Sequence, residues 1–218
     1  MSNRFPASAS QSSPMPVLLG ETGRPEPSET GRGRRGAPSW SWRLGTIAGI
    51  PIRVHATFAL LLLWVASSHV LRGHGMQEVA GGLLLILSIF ACVVLHELSH
   101  AVTAKRFEIR TRDITLLPIG GVARLERMPE KPSQELLVAL AGPVMSLAIA
   151  GVLFGVLALF GGPKGLQDLQ LVGGPFLTKL MWINVTLALF NLLPAFPMDG
   201  GRVLRAAIAL RTDRGRAT

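Results

Sequence analysis

Residues Leu83 to Phe107 read LLLILSIFACVVLHELSHAVTAKRF, an apolar run long enough to cross a membrane, and it carries His96, Glu97 and His100 as an HExxH motif. On a helix, residues four apart lie on one face about one turn apart, so His96 and His100 can share a metal ion. Glu97, between them, is the candidate general base that takes a proton from an attacking water. Holding three such side chains in lipid costs several kcal/mol. Two stray membrane histidines and an idle glutamate are therefore a poor account of the motif.

The 218 residues are 49% hydrophobic and only 16% charged, which places the chain among polytopic membrane proteins. Four stretches qualify as spans: about Ala56 to Val70, Val79 to Ala104, Leu136 to Phe160, and Leu180 to Leu193. The outer two are shorter than the ~20 residues a straight span needs, so they borrow flanking residues or are broken, with Pro51 and Pro194 marking the breaks. The expected fold class is mainly α: a polytopic membrane helix bundle of about four spans, with a small β-hairpin or sheet beside the helix that carries HExxH.

The net charge of +9 raises the question of nucleic-acid binding, but the basic residues follow topology. Seven Lys/Arg precede Val54, seven lie between Lys105 and Lys131, and five follow Asp199, while Arg72, Lys164 and Lys179 alone fall elsewhere. By the positive-inside rule both termini and the middle loop face the cytoplasm, which agrees with an even number of spans in the cell membrane. The partner of this charge is the lipid bilayer, and nucleic acid is excluded. The single cysteine, Cys92, rules out an intramolecular disulfide and reads as a small packing residue near the site. Residues 1–44 are rich in Ser, Pro, Gly and Arg and read as a disordered cytoplasmic tail, with Trp40, Trp42 and Arg43 as an interfacial anchor at its end.

After the second span comes FEIRTRDITLLPIGGVARLERMPEK. Its alternating, β-branched runs on either side of Gly120 and Gly121 read as a hairpin whose apolar centre dips toward the membrane. Ile114, Leu116, Ile119 and Val122 could then offer an edge to an extended substrate segment, since strand addition pairs backbone without demanding a side-chain sequence. A hairpin that merely covers the bundle is the competing reading.

A zinc site needs a third protein ligand, and Asp199 in NLLPAFPMDGGRVLRA is the candidate. His96 lies 17 residues from Val79 and Asp199 lies 19 from Leu180, on spans that run the same way, so both reach similar depth near the cytoplasmic face. Asp199 could instead cap a helix beginning at Arg202. Asn191, eight residues earlier, could hydrogen-bond a substrate carbonyl or stabilise an oxyanion, or serve only as a polar contact between membrane helices. Gly142, Ser146 and Ala150 read as a packing surface, His55 as a polar contact at the mouth of the first span, and His69 and His74 as solvated residues of an outer loop.

With HELSH in a span, LLPIGGVARLE after it, AGPVMS opening the next and NLLPAFPMDGGRVLRA at the fourth, the chain resembles the site-2 proteases. These are zinc metalloproteases that cut within membranes. The resemblance runs from about Ile47 to Ala209 and implies one zinc ion per chain, held by His96, His100 and Asp199, with Glu97 as general base and Asn191 as substrate contact. It implies a membrane-spanning protein substrate and names no regulatory partner. The PIGG and PAFPMDGG wording is similar to the prokaryotic branch whose members often carry a pair of CBS domains. Residues 45–210 then form the metalloprotease core, and 211–218, ending in RTDRGRAT, a truncated or short C-terminal tail. A membrane metal-binding regulator or scaffold without proteolytic activity is the alternative; a transporter is disfavoured because no inverted repeat is evident.

Overall fold

Nine elements follow one another in the computed structural model, which describes residues 40–160, 175–195 and 197–215. They are β1 (Ser41–Ile47), β2 (Ile50–His55), α1 (Ala56–Leu71), α2 (Met76–Lys105), β3 (Thr111–Leu117), β4 (Gly120–Leu125), α3 (Pro132–Phe160), α4 (Phe176–Asn191) and α5 (Asp199–Gly215). The expected tail, up to residue 39, lies outside the described residues. Its expected boundary at residue 44 falls inside β1, so the folded core begins earlier. At the other end, α5 runs on to Gly215, into the expected tail of residues 211–218.

The expected hairpin is half of a larger sheet. Four strands pair in the order β1-β2-β3-β4; the two hairpins are antiparallel, and β2 joins β3 in parallel through Ile52–Ile114, Arg53–Thr115 and Val54–Leu116. Trp42 and Arg43 are thus strand residues. Gly45 and Pro51 interrupt the alternation that would have announced this first hairpin, and its turn, Ala48-Gly49, lacks an Asn-Gly signal. Both turn residues take positive φ, 53° and 84°, which suits the twist of a tight hairpin. Pro51 breaks no span; it precedes the stretch of β2 that pairs with β3, where its missing N–H is harmless.

The sheet is seated on α2. Ile50, Ile52 and Val54 alternate inward along β2, and with Ile114 and Leu116 of β3 they pack against Phe90, Val93 and Ala101 of α2. Phe58 of α1 closes this layer edge-on against Phe90, ring centres 4.4 Å apart. The exit from α2 is sharp because Glu108 takes φ 59° while the N–H groups of Glu108 and Ile109 bond the carbonyls of Lys105 and Ala104. This turn sends the chain straight back into β3.

Two helices, α2 and α3, are long and apolar enough to cross a membrane. Only 22% and 33% of their most apolar stretches are buried inside the protein, so Leu84, Leu87 and Leu95 of α2, and Val144, Val152 and Phe154 of α3, face outward. That much exposed aliphatic surface is what a lipid solvent requires, and a core helix of a soluble protein would have it covered. α1 and α4 are apolar but 16 residues each, about 24 Å of rise against a hydrocarbon core of ~30 Å. The described structure therefore has two helices of spanning length and two short apolar ones, where four spans were expected.

β3 is an interior strand, which corrects the expected substrate edge. Ile114 and Leu116 are buried, and their strand lies between β2 and β4 with no free backbone edge, whereas Val122 lies on the outer strand β4 and Ile119 is the turn residue, 95% exposed. Ile114→Ala is expected to destabilise the fold by about 2–5 kcal/mol, and Ile119→Ala to be nearly neutral. Thermal unfolding of the two variants in the same detergent checks this.

Candidate metal centre

Positions 96 and 100 fall on the buried face of α2, and both histidines are almost fully covered. The Nδ1–H of His100 donates to the carbonyl of Val138 in α3 at 2.6 Å. Because a carbonyl can only accept, this bond turns the lone pair of Nε2 toward His96. His96 Nδ1 lies 2.9 Å from Ser146 Oγ, also in α3, and its Nε2 is 3.3 Å from that of His100. Asp199 opens α5 and places Oδ2 at 3.2 Å from His96 Nε2 and 3.1 Å from His100 Nε2.

Three acceptor atoms thus converge on one point. Ligands about 2.0–2.1 Å from a tetrahedral zinc lie roughly 3.3–3.4 Å from one another, and the three separations here are close to that. Two imidazole lone pairs and a carboxylate held together repel unless a cation sits among them. The donor set fits a zinc ion, with one coordination position left for water or substrate.

Glycines make the convergence sterically feasible. A Cβ on Gly142 of α3 would collide with the ring nitrogens of His96 and His100. One on Gly200 would collide with the carbonyls of Leu192 and Leu193, so the proline-broken loop after α4 folds tightly onto the first turn of α5. One on Gly121 of β4 would lie 2.6 Å from Glu97 Cγ, which puts the sheet directly against the candidate base. Glu97 itself is half-buried on α2 beside this cluster.

Asn191 ends α4 and donates an amide hydrogen to Leu187 of its own helix, at 2.9 Å. It makes no hydrogen bond to the histidines or Asp199. His55 caps α1 through Thr57. His69 belongs to the last turn of α1 and not to a loop; with His74 it borders a cavity of about 640 Å³ formed also by Arg72, Glu78 and Lys179. Cys92 is buried and free, as expected. The part played by α3 goes beyond the packing surface expected of Gly142 and Ser146: Ser146 orients His96, and Gly142 makes room for both rings. Their four-residue spacing, continued backward to Val138, was the available signal.

Residues 84–174 and 173–217 match the sequence profile of Peptidase family M50. The chain belongs to that family. A zinc metalloprotease of Methanocaldococcus jannaschii is 40% identical over 171 residues, covering 78% of this chain and 46% of its own length. A relative from Synechocystis is 37% identical over 172 residues, covering 76% of this chain and 44% of its own. Among solved structures, the site-2 protease from Methanocaldococcus jannaschii superposes with a TM-score of 0.60 at 39% identity, covering 78% of this chain and 72% of that one. The chain spans about half the length of the relatives in the sequence comparison. Zinc is the metal that M50 membership implies, and His96, His100 and Asp199 are grouped where it would bind. Gly142→Ala is expected to lower zinc content well below stoichiometric by forcing the two rings apart, as metal analysis of the purified variant would register.

Proposed function

We propose that this chain is the core of a zinc-dependent intramembrane endopeptidase that cleaves peptide bonds in or near the transmembrane segments of membrane proteins, as in regulated intramembrane proteolysis. The convergence of His96, His100 and Asp199 beside Glu97, within helices whose apolar surface faces lipid, carries the reading. The distribution of Lys and Arg supports a multi-pass protein of the cell membrane with both termini cytoplasmic. The wording of PIGG and PAFPMDGG supports the prokaryotic branch of the family.

Bound zinc supplies Lewis acidity, lowering the pKa of water toward ~7 and polarising the scissile carbonyl. Glu97 takes the proton from the attacking water and delivers it to the leaving amine as the C–N bond breaks. Asn191 uses one amide hydrogen on Leu187 and retains a second, which can donate to the carbonyl oxygen. A substrate helix hides its peptide bonds in internal hydrogen bonds and must unwind to react. The outer edge of β4, from Gly120 to Leu125, can pair with the unwound segment, and Gly121 brings that edge against Glu97. Val122 on this edge and Ile119 in the turn beside it remain candidate contacts, while Ile114 and Leu116 act only by holding the edge in place.

Glu97→Gln keeps the shape of the side chain and removes the base. The expected outcome is unchanged zinc content with cleavage of a membrane-tethered reporter reduced at least ~10²–10⁴-fold. Zinc-bound variant protein that cleaves at the wild-type rate would remove Glu97 from this role. Wild-type protein that binds zinc without cleaving any reporter would favour a metal-binding regulator or scaffold.

A further inference from the structure

One face of α3 reaches both histidines, and the same face carries a buried carboxylate one turn earlier. Glu135, Val138, Gly142 and Ser146 recur every three or four residues and are all buried. Val138 holds His100, Ser146 holds His96, and Gly142 gives both rings their space. Glu135 points at α5, the helix that begins with Asp199. Its Oε1 pairs with Arg205 Nη2 and lies 4.0 Å from Arg202 Nε. Arg202 is itself largely covered and also reaches Met128 Sδ.

Apolar packing on the described part of α5 is modest, with Val203, Ala207, Ala209 and Leu210 only partly buried. Ala206 is its one buried hydrophobic side chain among the described residues, while Leu204 and Ile208 are about half exposed. A carboxylate that is 9% exposed is costly to bury unless it is paired, so the pairing with Arg202 and Arg205 strongly favours one docked position of α5. Arg202 and Arg205 lie three and six residues beyond Asp199, within two turns of it. A helix is stiff over that distance, so whatever locates the arginines locates Asp199.

We propose that Glu135 is a positioning residue for the metal centre: with Arg202 and Arg205 it clamps α5 to α3 and thereby sets Asp199 at the point where His96 and His100 converge. This rests on the reading of Asp199 as a zinc ligand. One helix face then orients all three ligands, two by direct hydrogen bonds and the third through an ion-paired neighbour helix. Loss of an outer partner of a metal ligand typically weakens metal binding about 10–100-fold.

The test is zinc affinity of this 218-residue chain in detergent, titrated against a competing chelator, with the absorption spectrum of the cobalt-substituted protein as a second readout of ligand geometry. Glu135→Gln is expected to weaken zinc about 10–100-fold and to shift the cobalt spectrum. Arg205→Gln should do the same, Arg205→Lys should restore most of the affinity, and the Glu135→Gln/Arg205→Gln double variant should be no worse than the worse single one. Leu157→Ala, a buried site at the far end of α3, controls for stability: it should lower the unfolding temperature and leave zinc affinity unchanged. If Asp199→Ala weakens zinc but Glu135→Gln does not, the clamp is refuted and the ligand assignment stands. If Asp199→Ala leaves zinc affinity and the cobalt spectrum unchanged, the ligand assignment fails and the clamp falls with it.

Discussion

Two imidazoles and a carboxylate sit with their acceptor atoms 3.1–3.3 Å apart inside an apolar bundle. In water such a group would separate, and in a low-dielectric interior its repulsion is larger still. The surrounding structure must therefore over-determine each side chain, and α3 is where it does so. This helix packs against α2, α4 and α5, and its small residues let the backbone come close enough for a carbonyl and a hydroxyl to reach the histidine rings. Packing in the absence of a hydrophobic force between helices favours such small-residue faces.

The sheet answers a second requirement. On the proposed function the site has to hold an extended chain where water and backbone partners are scarce, and an open strand edge would supply the partners. Here the sheet is anchored by its inner strands, β2 and β3, whose aliphatic residues pack on α2, so that β4 can remain at the margin beside Glu97. Burial of Asp113 between Arg53 and Arg124 ties three of the strands together by charge as well. Anchoring and exposure are thus divided between neighbouring strands, and a two-stranded hairpin alone would not allow that division.

Much of the site was legible from spacing. HELSH in an apolar run indicated two metal ligands on one helix face, and the depth match between the second and fourth apolar stretches pointed to Asp199. The hairpin after α2 was legible from its β-branched alternation. The first hairpin was not, because Gly45 and Pro51 obscure its period and its pairing with β3 joins residues about sixty positions apart. Ser146 and Gly142 were visible as small residues, but a serine that packs and a serine that orients a histidine look alike until the partner helix is in place.

By itself, then, the sequence determined the chemistry on offer: which residues can bind zinc, which can take a proton, and which runs are strongly apolar. These follow from residue type and helical period, both local properties. Only the tertiary structure decided that Ile114 and Leu116 are interior, that α3 supplies the carbonyl and hydroxyl for the histidines, and that Glu135 faces Arg202 and Arg205. Each depends on which helices and strands become neighbours, and local period carries no information about contacts made across dozens of residues.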